Sequence, residues 1–149
     1  MALAVMLNMT NRRLFFFILA IFLIPGCGLF DSSSDRIAGR YIVLWIDLPR
    51  NQTISKEDKL HSSGSSTLIG PYVFAVGHNE HYIIAKQHPT NGFEGGYKIS
   101  VETTNYYIIN TFKDIDTVFG PLTLSQFDSL RIRFKIQNLP FDKTYLDNP

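Results

Sequence analysis

Apolar residues run unbroken from Tyr41 to Ile46, with Arg40 before them and Asp47-Leu48 after. A strand over 40–48 would put Tyr41, Val43, Trp45 and Asp47 on one face and Ile42, Leu44, Ile46 and Leu48 on the other. The second face is uniformly aliphatic and is expected to meet the core. Pro49-Arg50-Asn51 reads as a turn. Residues 53–60 alternate only weakly. Their charges, Lys56, Glu57, Asp58 and Lys59, suit a short exposed edge strand. His61 to Ser66, rich in serine and glycine, reads as a flexible loop.

The sharpest local pattern lies between Tyr72 and His88. Two apolar runs, 72–78 and 81–88, flank Asn79-Glu80, a two-residue turn in which asparagine tolerates a positive φ. That turn pairs His78 with His81, Val76 with Ile83 and Phe74 with Ala85 on one face. Gly77, Ala75, Val73, Tyr82, Ile84, Lys86 and His88 fall on the other. Asn91 to Gly96 reads as a loop, 97–101 and 105–112 as a second hairpin, and Thr117-Val118-Phe119 as a last short strand. Gly120-Pro121 is expected to stop the sheet. Thr123 and Gln126 then form a capping box, and Phe127, Leu130 and Phe134 recur at helical spacing, so a helix runs from Leu124 to about Ile136. Strands first and one helix last give an α+β class, mainly β: a twisted antiparallel sheet of hairpins with a C-terminal helix packed on it.

The N-terminal region has a different logic. Arg12-Arg13 precede an apolar run from Leu14 to Ile24, which ends in Pro25-Gly26 and then Cys27, the one cysteine of the chain. A bilayer-spanning helix needs about 18 or more apolar residues, so this run is too short. A basic n-region, a short apolar core and a small residue before a cut site describe a secretory signal. Met9-Thr10-Asn11 before the arginines makes a sufficient start to it. Ile24-Pro25-Gly26-Cys27 resembles the lipobox of bacterial lipoproteins. That resemblance implies cleavage before Cys27, acyl chains on its sulfur and a membrane held through them. Pro25 is a departure from the usual small residue there. The expected organisation is a signal at 1–26, a lipidated Cys27 with a polar tether to residue 35, and one β-rich domain over 36–149. Gly28, where an aspartate would retain a lipoprotein in the inner membrane, favours the outer membrane of the cell envelope.

About 120 residues follow Cys27, enough for one domain. Of 14 Lys and Arg, Arg12 and Arg13 leave with the signal, so 12 basic residues face 13 acidic ones. That balance argues against nucleic acid as a partner, which calls for a basic face. With no second cysteine there is no disulfide, and stability must come from an ordinary core.

Several blocks of the mature chain resemble a family of small uncharacterised bacterial lipoproteins of the Bacteroidetes type. They are Val73-Phe-Ala-Val-Gly77, Tyr82-Ile-Ile-Ala-Lys-Gln-His-Pro89, Asn105-Tyr-Tyr-Ile-Ile109 and Gly120-Pro-Leu-Thr123 with Phe127. The resemblance implies a lipobox followed by a β-rich domain and a final helix, and it carries no activity with it. Arg131-Ile-Arg-Phe-Lys-Ile136 departs from the family's Lys- and Glu-rich helix and alternates like a strand.

Candidate chemistry is sparse. His78 and His81, opposite each other on a hairpin, would have Cβ atoms about 5 Å apart and could share a zinc ion, but His88 points to the other face and Glu80 sits in the turn. Lys86 could stand at a pocket mouth, although a lysine at a sheet margin commonly just extends its ammonium to water. No Gly-x-Ser-x-Gly elbow surrounds Ser62 to Ser66. No catalytic or cofactor-binding residue is assigned. The expected function is a membrane-anchored, non-catalytic domain that binds an envelope protein or other envelope component. The competing reading is a tethered hydrolase or metal-dependent enzyme using His78, His81 and Lys86.

Overall fold

The computed structural model describes residues 32–46, 51–58, 64–90, 98–112 and 116–145. Among them are nine strands and one helix. The strands are β1 (Ser32–Ala38), β2 (Tyr41–Ile46), β3 (Thr53–Glu57), β4 (Ser65–Ile69), β5 (Val73–His78), β6 (Tyr82–Gln87), β7 (Asn105–Asn110), β8 (Thr117–Leu122) and β9 (Lys143–Thr144). The helix, α1, spans Leu124–Arg133 and lies between β8 and β9 in the chain. The class is mainly β with a single C-terminal helix, as the pattern predicts. The strands form two sheets rather than one, ordered β1-β2-β3-β4 and β8-β7-β6-β5-β9, with every pairing antiparallel.

The layers follow from which faces are apolar. Ile37, Tyr41, Val43, Ile54 and Ile69 of the first sheet pack on Val73, Val76, Ile83, Ala85 and Ile109 of the second. Ile84 and Ile108, on the second sheet's other face, pack with Phe127 and Ile136, and with a ring of half-buried aromatics. The central strands β6 and β7 are therefore apolar on both sides, which explains their near-continuous hydrophobic runs.

Several local expectations give way to longer-range partners. The strand β1 begins at Ser32, so residues 32–35 pair with β2 instead of forming the end of a tether. In β2 the inward face is Tyr41, Val43 and Trp45, and the aliphatic Ile42, Leu44 and Ile46 lie on the other side. The strand β3 is interior, paired with both β2 and β4. Ser65 and Ser66, read as loop, open β4. The strand β7 pairs with β6 and β8, and Ile99 makes only an isolated bridge to Thr90. The sheet does not stop at Gly120-Pro121. The edge strand β8 runs on to Leu122 through a register irregularity opposite Tyr106–Ile108, a place where proline's missing N–H is tolerated. The loop expected at 91–96 and the remainder of the 61–66 loop, 61–63, lie outside the described residues.

The helix matches its local signal most closely. Thr123 is the N-cap, its side chain accepts from the Gln126 N–H, and the Gln126 side chain accepts from the Thr123 N–H at 2.9 Å. Phe127 is fully buried, with Leu130 and Phe134 half-buried beside it. The helix ends at Arg133, short of Ile136, and Arg131-Ile-Arg-Phe-Lys-Ile136 is helix and cap rather than strand. Lys135 adopts φ 59°, its N–H donates to the Ile132 carbonyl at 3.0 Å, and the Ile136 N–H donates to Arg131 at 2.8 Å. This paired bonding turns Ile136 back into the core.

Candidate functional site

The residues singled out for chemistry sit on or beside the β5–β6 hairpin. Asn79 decides the turn. Its side-chain oxygen accepts from the N–H groups of His81 (3.0 Å) and Tyr82 (2.9 Å), and its own N–H donates to the Tyr82 carbonyl at 2.9 Å. The turn therefore centres on Glu80-His81, one residue later than Asn79-Glu80. His78 faces Ile83 instead of His81, and the histidine pair is not formed.

Each candidate then has its own surroundings. His78 has Nδ1 3.9 Å from an Asp142 carboxylate oxygen, and that nitrogen finds no hydrogen-bond partner among the described residues. His81 rests its ring edge-on against Phe112, with centroids 5.1 Å apart. Lys86 lies on the helix-side face, its ammonium 4.5 Å from the centroid of the Phe141 ring and 6.0 Å from that of Tyr106. His88 is buried, stacked on Phe74 at 4.4 Å, with Nδ1 2.8 Å from the Thr103 carbonyl oxygen. Its neighbour Gln87 is tied to Pro71, Asn105 and Tyr107. The Ile83–Pro89 block is thus a scaffold segment: Gln87 and His88 are held by the backbone carbonyls of Pro71 and Thr103 and by the side chains of Asn105 and Tyr107. Among the described residues, no three His, Cys, Asp or Glu side chains come together in a way that could hold a metal ion. Cys27 lies outside the described residues.

Two polar clusters escape the sequence reading because their members are far apart in the chain. In the first, the Asp116 carboxylate accepts from the Lys56 ammonium at 2.6 Å and, through its other oxygen, from the Tyr41 hydroxyl. Lys56 also lies over the Tyr41 ring, 5.2 Å from its centroid. Tyr41 and Lys56 are register partners, two pairs along from Val43 and Ile54 and so on the same face, and both point into the space between the sheets. The signal that could have found them is parity: Lys56 shares a face with Ile54. In the second cluster, Lys143 reaches both oxygens of Asp35 at 2.9 Å and the Arg36 carbonyl at 2.7 Å, and the Tyr145 hydroxyl donates to Asp35 at 2.8 Å. Hydrogen bonding from Lys143 holds the Asp35 carboxyl below the usual range, against the opposing effect of burial. Burial first, and then Asp35, push the Tyr145 hydroxyl up. With both carboxylate oxygens engaged in each case, these clusters join the two sheets, β3 to the start of β8 and β1 to β9.

Comparison with known proteins adds one result. No curated protein and no solved structure gives a significant match. A family model described as "Protein of unknown function (DUF3997)" matches residues 38–145, from the end of β1 to just past β9 and so across nearly all of both sheets and the helix. The chain accordingly belongs to the DUF3997 family.

Proposed function

We propose that this protein is a lipid-anchored lipoprotein of the bacterial cell envelope, held at the outer membrane through acyl chains on Cys27, whose domain acts by binding an envelope partner. The carrying observation is the sequence from Arg12 to Cys27: two arginines, eleven apolar residues, Pro-Gly and then the sole cysteine. The likeness of its blocks to lipobox-bearing bacterial lipoproteins belongs to the same reading. Binding is favoured over hydrolysis by the surroundings of the candidate groups, since His78, His81, Lys86 and His88 each meet a different set of neighbours. A catalytic pair needs base and nucleophile within hydrogen-bond reach. Metabolic labelling with a fatty-acid probe tests the anchor. The wild type is expected to incorporate label and Cys27→Ser to lack it; equal incorporation refutes the proposal.

A further inference from the structure

Burial is uneven along β1. Of its seven residues only Ile37 is buried, and Ser32, Ser33, Ser34 and Arg36 are exposed. In β2 and β3, by contrast, Tyr41, Ile42, Val43, Ile54, Ser55 and Lys56 are all buried. Ile37 stands at the turn end of β1, at the register irregularity between Arg36 and Ala38. Residues 32–36 bring no apolar side chain to the core, and burial of apolar area is what offsets the entropy of fixing a chain. Besides the backbone pairing, polar side chains hold them: Lys143 and Tyr145 on Asp35, Lys143 on the Arg36 carbonyl, and Arg36 on Glu57. Both ion pairs lie at the surface, where water screens them.

The pairing shows what opening of β1 uncovers. The Glu57 N–H donates to the Arg40 carbonyl, and the Leu44 carbonyl accepts from Thr53 Oγ1. In an antiparallel ladder alternate residues turn their N–H and C=O groups to opposite sides. Ile42 and Leu44 therefore bond to β3, while Val43 and Trp45 bond to Asp35 and Ser33, their register partners in β1. The matched family region begins at Ala38, so residues 32–37 stand outside it. We infer that residues 32–36 are a releasable strap: they peel from β2 together, pivoting at Ile37, while the rest of both sheets stays closed, and Asp35 is the clasp. Segments with the least buried apolar contact are the ones that open locally. Five residues span at most about 18 Å, so release lengthens the link between lipid and domain by up to that distance. That consequence rests on the lipid-anchor reading; the strap itself does not.

Hydrogen exchange of the full-length protein, resolved to single amides by mass spectrometry with electron-transfer fragmentation, tests this. In the wild type the protection factors of Val43 and Trp45 are expected to be at least about tenfold lower than those of Ile42 and Leu44. Loss of β1 produces that alternation along one strand, and global unfolding does not. Asp35→Asn should lower the first two about threefold further and leave the second two unchanged. Equal protection at the four positions overturns the strap. Alternation that Asp35→Asn leaves untouched, or a loss of protection at all four positions in that variant, overturns Asp35 as the clasp. The mass of the Cys27 peptide in the same samples separates the two readings: an unacylated Cys27 refutes the anchor and the added reach, whereas acylated Cys27 with equal protection refutes the strap alone.

Discussion

The second sheet is packed from both sides, and the two packings use different side chains. Toward the first sheet β5, β6 and β7 present Val76, Ile83, Ala85 and Ile109, met by Val43, Ile54 and Ile69. Toward the helix they present Ile84 and Ile108 under rings: Tyr106 on Phe127 at 4.9 Å, Tyr82 on Phe134 at 5.3 Å and Phe119 on Phe134 at 5.1 Å. Two pleated faces lie at nearly constant separation, about 10 Å, which branched aliphatic chains fill. A cylinder on a sheet leaves wedges along its flanks, and long planar side chains reach into them. Beyond the helix the backbone itself closes the gap. A Cβ at Gly77 would lie 1.9 Å from the Pro140 carbonyl oxygen. The aliphatic layer is fastened by ion pairs between the sheets, Lys56–Asp116 and Lys143–Asp35. The aromatic layer is held by ring contacts and the two helix caps.

Breaking the aromatic layer should have the largest effect. A ten-residue helix is marginal alone in water, so α1 depends on its packing. Phe127 is 1% exposed and touches Tyr106 and Phe141. Phe127→Ala is expected to cost about 3–5 kcal/mol. Ser129→Ala, an exposed position bonded only to the Ser125 carbonyl, should cost little. Urea unfolding followed by far-UV circular dichroism measures both. Similar midpoints for the two variants would mean that rings do not hold the helix.

The aliphatic layer is probed next through its buried fastening. Asp116→Ala leaves the ammonium of Lys56, a residue only 8% exposed, without that carboxylate. Removing one partner of a fully buried pair costs roughly 3–5 kcal/mol; Asp116 keeps some contact with water, so about 2–3 kcal/mol is expected. The double variant Lys56→Met with Asp116→Leu should recover most of that loss, because an apolar pair removes both charges at once. A double variant no better than the single one would show that the layer needs the charges themselves.

The second fastening is more exposed and should respond to pH. Asp35 has its folded pKa depressed below the ordinary 3.8, led by the Lys143 hydrogen bond. A depressed carboxylate contributes stability above the unfolded value and loses it as pH falls through the folded one. Wild-type stability should therefore fall below about pH 4 more steeply than that of Asp35→Asn, while the two differ by less than about 1 kcal/mol near neutrality, as expected for a partly exposed pair. Thermal melts between pH 2 and 7 decide this, and parallel curves would remove Asp35 as a contributor.

How far the fold was legible follows from how local its causes are. The helix start was readable because Thr123 and Gln126 bond within one turn of each other. In the β5–β6 hairpin the faces were readable but the register was not. The Asn79 side chain moves the turn by one residue, which shifts the pairing by two, and an even shift keeps Val76, Ile83 and Ala85 on their common face; Val73, expected on the other face, joins them because the register breaks between Val73 and Ala75. That same shift dissolved the His78–His81 pair, so the one candidate site failed on a detail that the apolar pattern does not carry. The inward face of β2 was misread because Ile42, Leu44 and Ile46 are the more hydrophobic set. Tyr41 and Trp45 turn inward for partners some 75 to 100 residues away, Asp116 and Tyr145, which no window along the chain contains. Likewise β3 and β4, built largely of Ser, Thr and charged residues, look exposed until Lys56 is seen to meet Asp116. The Ile83–Pro89 and Gly120–Thr123 blocks that carried the resemblance turn out to be scaffold, a buried polar network and a helix entry, and so they speak for fold rather than for chemistry.

The smallest expected effect sharpens the account of the helix end, where the aromatic layer is closed. Lys135 is a non-glycine residue at φ 59°, a conformation that costs an L-residue about 1 kcal/mol or more because its Cβ crowds the backbone. It is held there because two bonds depend on it, Lys135 N–H to Ile132 and Ile136 N–H to Arg131, and because the turn delivers Ile136 to the core. Arg131 braces the same turn, donating to the carbonyls of Gln137 at 2.6 Å and Leu139 at 2.7 Å. Glycine removes the Cβ crowding while adding backbone freedom to the unfolded chain, and at this cap position the first effect is the larger. Lys135→Gly should therefore raise stability by about 0.5–1 kcal/mol, and Lys135→Val should lower it, since a β-branched side chain suits that φ least. Equal melting temperatures for wild type, Lys135→Gly and Lys135→Val would show that the left-handed turn is not what closes the helix, and that Arg131 alone holds the chain against the rings.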